Sequence, residues 1–295
     1  MSDRVVFKTM VERAMSVSGR AHMRPVIEKE LFHYDILFAL DQENLLDKLT
    51  FQGGTALRLC YGGLRFSEDL DFTGGIHFAN VQLIQMKACL EKYLGERYGL
   101  EVLVKSPKEI SEEITDEVHV DKWQLSITTS PEKKDLPKQK IKIEVINIPS
   151  YSKEPRALQN NYDFLPDGYA DILVMTESLD EIMADKLVSF VNCTRVIRHR
   201  DIWDLRWLKQ QGATINKDFV NKKIKDYKIN DYSLKLRNLL LNLEEIIKGK
   251  QFYNQMERFI PDDILERTLK KEKFLDFLYV EVKAILLEVK KIHAG

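Results

Sequence analysis

The feature that most constrains this chain is the run of residues 51–72, FQGGTALRLCYGGLRFSEDLDF. A short β-type segment ends at Gly53-Gly54, a helical segment follows from Thr55, and a second β-type segment carries two acids. Glycines allow the backbone to approach a ligand closely, and the first turn of a helix offers N–H groups at the positive end of its dipole. The pattern predicts a strand–helix–strand unit whose turn, Gly53, Gly54 and Thr55, binds phosphate.

Asp69 and Asp71 stand two residues apart in the second β-type segment. Side chains two apart in a strand share a face, so we expect both carboxylates on one side and Leu70 on the core side. Such a density of acids needs a neutralising partner, usually a divalent cation such as Mg²⁺ or Mn²⁺. Two carboxylates on one strand, with a third from a neighbouring strand, suit in-line phosphoryl transfer. Glu144, in the alternating run KIKIEV of residues 140–145, is the candidate third ligand.

Each of these motifs has a structural reading as well. A Gly-Gly-Thr run is often a simple turn, and acids often end strands because they are solvated there. The order and spacing of the two motifs within one strand–helix–strand unit favour the chemical interpretation.

Residues 53–72 are similar to the signature of the AbiEii/AbiGii family of nucleotidyltransferase-like toxins, within the DNA polymerase β-type nucleotidyltransferase superfamily. The family pattern is a Gly-Gly/Ser-Thr-Ala/Ser-Leu-Arg block, a loop, and then Arg-Phe-Ser-x-Asp-x-Asp-Phe. Its acidic residue on a later strand matches Glu144, its E-x-x-x-x-K-L block matches residues 181–187, and its R-D-x-x-D-L block matches residues 200–205. The resemblance covers about residues 45–210 and leaves the role of residues 215–295 open.

The resemblance implies that Lys186 holds the triphosphate or the leaving pyrophosphate, and that Asp201 belongs to the same cleft. Taken alone, Lys186 is more typical of a lysine whose stem packs on the surface, and Asp201 of an acid in a first helical turn. Arg65 and Ser67 flank the acid pair in the family pattern. Arg65 is a candidate for binding a phosphate oxygen or for pairing with Glu68, and Ser67 for capping or for bonding the nucleotide.

The 295 residues, 44% of them hydrophobic, allow one large domain or two ordinary ones. β-type and helical segments alternate up to about residue 175, and later segments are nearly all helical. We expect an α+β fold with a nucleotidyltransferase-type mixed sheet flanked by helices over 1–175. A helical domain over 176–295, ending in one long helix from about 263 to 291, would contribute Lys186 and Asp201 to the cleft. The stretch 150–170, which contains Pro155 and Pro166, is predicted to be loop-rich.

The formal net charge of −1 excludes a uniformly basic nucleic-acid-binding surface. Residues 215–295 carry 17 basic and 13 acidic side chains, which fits either RNA docking or a solvated helical surface. No run is apolar enough to span a membrane. The three scattered cysteines indicate reduced thiols in the cytoplasm.

Together these features predict a nucleotidyltransferase that uses Mg²⁺ or Mn²⁺ to transfer NMP from an NTP to an acceptor hydroxyl. The resemblance implies a bacterial toxin of a toxin–antitoxin or abortive-infection system. It also implies an RNA 3′ end, foremost that of tRNA, as the acceptor, and a cognate antitoxin as a partner. Two alternatives stay open: modification of a protein hydroxyl, and a non-catalytic module that binds NTP or a partner.

Overall fold

The computed structural model describes residues 6–115, 117–132, 135 and 137–294. The chain divides into two compact units, Met1–Thr176 and Glu177–Gly295. Within the described ranges, no helix combines the length and apolar composition that crossing a membrane requires.

A mixed sheet organises the first unit. Its strands are β1 (Thr50–Gln52), β2 (Leu70–Thr73), β3 (Val102–Lys105), β4 (Val120–Ile127), β5 (Gln139–Ile146), β6 (Lys153–Ala157) and β7 (Leu173–Glu177). Their spatial order is β3-β4-β5-β2-β1-β7-β6. β2 is parallel to β5 and antiparallel to β1, so β2 lies in the middle of the sheet with a neighbour of each kind.

Four helices accompany this sheet: α1 (Phe7–Met15), α2 (Arg24–Gln42), α3 (Gly53–Tyr61) and α4 (Met86–Tyr98). A proline, Pro25, stands in the first turn of α2, where its missing N–H costs nothing. Gly62 ends α3 with a φ of +76°, in the left-handed region that glycine adopts readily. Glycines thus mark both ends of the short helix α3, Gly53 at its start and Gly62 at its end.

Strict alternation in β4 and β5 separates a core face from an outer face. The inward side chains of these strands and of β2 are buried: Leu70, Phe72, Trp123, Leu125, Ile127, Ile141, Ile143 and Val145. Phe51 of β1 stacks on Phe72 with ring centroids 4.9 Å apart, which continues the core across β1. The polar side chains between these positions are left on the outer face.

The second unit is helical in its described part. Its helices are α5 (Leu179–Asn192), α6 (His199–Gln210), α7 (Lys217–Asp226), α8 (Tyr232–Lys248), α9 (Lys250–Met256), α10 (Asp262–Arg267) and α11 (Glu272–Ala294). The predicted fold class, a mixed sheet with flanking helices followed by a helical region, is confirmed.

The stretch 150–170 is loop-rich, as predicted, and contains one short strand, β6, which carries Pro155 at the edge of the sheet, where proline is tolerated. One local prediction is wrong. The single long final helix is interrupted between α10 and α11. The backbone leaves the helical region at Thr268, with φ −125° and ψ −93°, and the chain turns there and buries Leu269.

Candidate active site

Asp71 and Glu144 are direct neighbours across the parallel strands β2 and β5. Gln52 of β1 is the register partner of Asp71 on its other side. Because register partners in a sheet project to the same face, the two carboxylates stand side by side on the outer face. Leu70 and Phe72, on either side of Asp71, are buried on the opposite face. The predicted alternation of this strand is confirmed.

Gly53 brings the turn before α3 against this carboxylate row. Its φ of +77° lies in the left-handed region, and a Cβ built at this position would lie 2.7 Å from Oδ2 of Asp71. The residue before the helix, Gln52, makes no side-chain capping hydrogen bond. The start of α3 thus lies beside Asp71, and backbone N–H groups at a helix start can bind an anion.

Two further motif residues hold the turn in place. Thr55 is buried, and its hydroxyl donates a hydrogen bond to the carbonyl oxygen of Asp69. The guanidinium of Arg65 lies against Gly54, so a Cβ on that glycine would collide with it. Arg65 also donates to the carbonyl oxygen of Phe66 at 2.9 Å. The structure thus brings a buried cation to the start of α3.

Arg58, which the sequence reasoning did not single out, ties α3 to α2. It forms a bidentate pair with Glu30 at 2.8 and 3.0 Å and donates to the carbonyl oxygen of Gly63. Its guanidinium also stacks on Phe66. Both members of the pair are buried, so removing either one would leave a buried charge unbalanced. The arginine of the Gly-Gly-Thr-Ala-Leu-Arg block therefore fixes α3, the helix that follows the glycine turn, to α2.

α2 also holds the residue before Asp69. Nε2 of the buried His33 lies 3.0 Å from the carbonyl oxygen of Glu68, and Lys29, one turn earlier, binds the Glu68 carboxylate at 2.9 Å. Burial lowers the pKa of His33 to about 4, so the imidazole is neutral near pH 7 and donates its Nε2–H to that carbonyl. Glu68 is clamped through both its backbone and its side chain. Ser67, the preceding residue, is buried.

Lysines neutralise the carboxylates of Asp69 and Glu144. The backbone N–H of Lys142 donates to Asp69 at 3.0 Å, and its ammonium lies 3.8 Å from the same carboxylate. The ammonium of Lys122 lies 3.0 Å from Glu144. Asp69 and Glu144 remain about one-third and one-quarter exposed, so a ligand can reach them from solvent.

The donor set fits a divalent metal. Carboxylate oxygens are the ligands that Mg²⁺ and Mn²⁺ prefer, and only a glycine at position 53 leaves room beside Asp71. Among the described residues, however, Asp69, Asp71 and Glu144 are not drawn within 4.8 Å of one another. Asp69 and Glu144 each pair with a lysine instead.

The acids that do converge within 4.8 Å are Glu177, Glu181 and Asp185. The ammonium of Lys223 binds all three, at 3.0, 2.8 and 2.9 Å, and so takes the place of a cation. Burial raises the pKa of Glu177 well above its ordinary range, which reduces the charge that Lys223 must balance. We assign this cluster to the packing of α5 against α7. Its signal in the sequence is the spacing of Glu181 and Asp185, four apart on one face of α5, with Glu177 at the end of β7 before the helix.

Lys186 belongs to a second buried ion cluster, which joins α5 to α6. Its ammonium lies 2.8 Å from Asp201 and 2.7 Å from Asp204, and Arg198 pairs with the other oxygen of Asp201. Burial acts to raise the pKa of Asp201, but the charges of Lys186 and Arg198 hold the pKa below its ordinary value. The E-x-x-x-x-K-L block of residues 181–187 and the R-D-x-x-D-L block of residues 200–205 thus meet in this ion cluster. The phosphate-binding role implied for Lys186 stays a prediction.

Two solved structures are similar to this chain. MenT4, a nucleotidyltransferase toxin from Mycobacterium tuberculosis, is similar over 82% of this chain and 72% of its own, with a TM-score of 0.51 and 21% identity. JHP933 from Helicobacter pylori is similar over 90% of this chain and 93% of its own, with a TM-score of 0.46 and 18% identity. A comparison with curated proteins returned no match. The likeness to MenT4 identifies a nucleotidyltransferase-type fold.

The family model described as nucleotidyl transferase AbiEii toxin, type IV toxin–antitoxin system, matches residues 35–278. This chain therefore belongs to the AbiEii family of nucleotidyltransferase toxins. Membership confirms the resemblance carried by residues 53–72 and implies an antitoxin as partner.

Proposed function

We propose that this toxin transfers NMP from an NTP to the 3′ hydroxyl of an RNA, in a reaction that depends on Mg²⁺ or Mn²⁺. The observation that carries the proposal is the row formed by Glu144, Asp71 and the glycine turn at Gly53, on three adjacent strands and their helix start. The row combines carboxylates that attract cations with N–H groups that attract phosphate.

Asp69, Asp71 and Glu144 would hold the metal, which when bound supplies neutralisation of the phosphate charge. The N–H groups of Gly53, Gly54 and Thr55 would bind the β- and γ-phosphates. Thr55 would contribute its backbone N–H and not its hydroxyl, because the hydroxyl already donates to the Asp69 carbonyl oxygen. Arg65, against Gly54, adds a positive charge to the same turn.

The reaction breaks one bond and forms one. The acceptor hydroxyl oxygen attacks the α-phosphorus, the bond from that phosphorus to the oxygen bridging to the β-phosphate breaks, and pyrophosphate leaves. A carboxylate of the row accepts the hydroxyl proton. Catalysis then consists of positioning and charge neutralisation, as in phosphoryl transfer generally.

A transfer assay tests the proposal and separates the alternatives. The protein is incubated with each α-³²P-labelled NTP, first with total RNA and then with a protein extract, and products are resolved by gel electrophoresis. We expect label on RNA with one or more NTPs. Label confined to protein would instead support modification of a protein hydroxyl. Growth inhibition that survives Asp71→Asn, without label in either pool, would support a non-catalytic binding module.

A further inference from the structure

The outer face of β3, β4 and β5 carries a set of lysines that the proposed reaction has not yet used. We call this set the lysine face: Lys105, Lys122, Lys140 and Lys142, with Gln124 and Ser126 between them. Lys105, Gln124 and Lys142 are register partners across three strands, and Lys122 is the partner of Glu144 in the next row. The lysine face therefore begins at the carboxylates and runs to the edge of the sheet.

A cavity of about 820 Å³ opens on the outer part of the lysine face. Lys105, Lys122 and Gln124 line it from the strands, and Lys108 and Ser111 line it from the loop after β3. Its acids are placed differently. Glu109 and Glu113 lie on the loop, and Asp121 is buried with a hydrogen bond from Asn80 at 2.8 Å. The strand side of the cavity thus carries two lysines, Lys105 and Lys122, against one buried acid, Asp121.

Strand order separates this surface from the phosphate-binding turn. Asp71 lies on β2, the glycine turn follows β1 on one side of it, and the lysine face begins on β5 on the other side. In-line transfer requires the attacking hydroxyl and the leaving pyrophosphate on opposite sides of the α-phosphorus. If the triphosphate lies on the β1 side, the acceptor must approach from the β5 side.

We propose that the lysine face binds the backbone phosphates of a single-stranded RNA acceptor and leads its 3′ end to Asp71. This inference rests on the proposed function and adds the path of the acceptor. Lys122, which contacts Glu144, would hold the phosphate nearest the reacting hydroxyl, and Lys105 and Lys140 would hold phosphates farther along the strand. Lysine ammonium groups bind phosphates without reading bases, so the surface is tolerant of sequence.

The test measures RNA binding without NTP or divalent metal, by fluorescence anisotropy of a labelled single-stranded oligonucleotide at several salt concentrations. The variant Lys105→Gln/Lys140→Gln removes two charges away from the ion pairs with Asp69 and Glu144. We expect weaker binding, and a salt slope of log K against log[salt] that is smaller by about 1.4, since each phosphate contact on a single strand contributes about 0.7.

The matched control is Lys87→Gln/Lys153→Gln, which removes the same charge from exposed positions on α4 and β6 of the same unit. The control should keep the original slope. An unchanged slope in the test variant, or an equal loss in both variants, would overturn the proposal.

The failure of this inference is distinguishable from failure of the proposed function, because binding is measured without the reaction. In the transfer assay, the test variant should raise the KM for RNA and leave the KM for NTP unchanged. If the wild-type protein labels RNA but the test variant keeps the original salt slope, only the proposal that the lysine face binds RNA is overturned. RNA binding that follows the prediction, with no transfer to RNA, overturns the acceptor role and the proposed function together.

Discussion

Asp71 and Glu144 face the same side of the sheet as direct partners on parallel strands. Their adjacency comes from strand pairing and not from nearness in sequence, and it makes Glu144 the third acid of the row. We expect Glu144→Gln to reduce nucleotide transfer by at least about 100-fold, because the amide cannot supply the negative charge. Thermal unfolding should change little, since Glu144 is partly exposed.

Glu154→Gln is the control for Glu144→Gln. This half-exposed acid pairs with Arg156 on the edge strand, and its substitution should leave transfer unaffected. Equal transfer by both variants would remove Glu144 from the site.

The glycine turn offers a matched pair of substitutions. Gly53 and Gly62 have φ angles of +77° and +76°, but an added Cβ meets Asp71 at Gly53 and open space at Gly62. Either change to alanine should cost about 1–2 kcal/mol of unfolding free energy, because both impose a left-handed backbone on a residue with a Cβ. Only Gly53→Ala should also abolish transfer, because it displaces the Asp71 carboxylate. Chemical denaturation and the transfer assay measure the two effects. If Gly62→Ala impairs transfer as severely, the close approach at Gly53 has no special role.

The buried cluster around Lys186 predicts a loss of stability. Lys186→Met removes the ammonium that Asp201 and Asp204 both bind and should cost about 3–5 kcal/mol. The control Lys209→Met removes a surface lysine of α6 paired with Glu281 and should cost less than about 1 kcal/mol. Urea denaturation measures both values.

The same cluster allows the implied phosphate-binding role to be tested separately. Combining Lys186→Met with Asp201→Asn and Asp204→Asn removes the two buried carboxylates that the single variant leaves without their ammonium, and should restore part of the stability. If Lys186 or Asp201 acts in the cleft, as the resemblance implies, this triple variant still fails to transfer nucleotide. Recovery of transfer together with stability would mean that the lysine is purely structural.

His33 predicts a pH dependence of stability. Its pKa is about 4 in the folded protein, because of burial, against 6.5 in the unfolded chain. The unfolded chain therefore takes up the proton first, and this group lowers stability progressively from pH 6.5 to about 4, by up to about 3 kcal/mol. Asp35 acts in the opposite sense, since burial raises its pKa to about 6. Because the wild-type protein and the His33→Gln variant both contain Asp35, the difference between their pH profiles of stability reports the contribution of His33 alone. Urea unfolding at pH 7, 5.5 and 4.5 should show a weaker acid destabilisation in the variant, and identical pH profiles would contradict the assignment.

The strand–helix–strand unit at residues 51–72 could be predicted because its signals are local. Gly53 and Gly62 mark the ends of α3, and the alternation of Leu70, Asp71 and Phe72 indicates the two faces of β2. The alternating run 140–145 predicts a neighbouring strand that presents Glu144 on its polar face. The parallel register that makes Glu144 the direct partner of Asp71 is known only from the structure.

Other features depend on partners far apart in the chain. The His33–Glu68 hydrogen bond and the Arg58–Glu30 pair each join residues of different elements, and neither leaves a periodic signal. The lysine that binds Glu177, Glu181 and Asp185 comes from α7, about 40 residues beyond them, and no local pattern in the sequence links it to these acids. The break at Thr268 was missed because hydrophobic periodicity continues on both sides of it.

The most direct measurement of the central claim is transfer of label from an α-³²P NTP to RNA by the wild-type protein and by Asp71→Asn. Unfolding curves confirm that both are folded, and a parallel reaction contains EDTA. The account predicts labelled RNA with the wild-type protein and divalent metal, and at least about a 100-fold loss with Asp71→Asn or with EDTA. Equal labelling by the wild-type protein and a folded Asp71→Asn variant would contradict it.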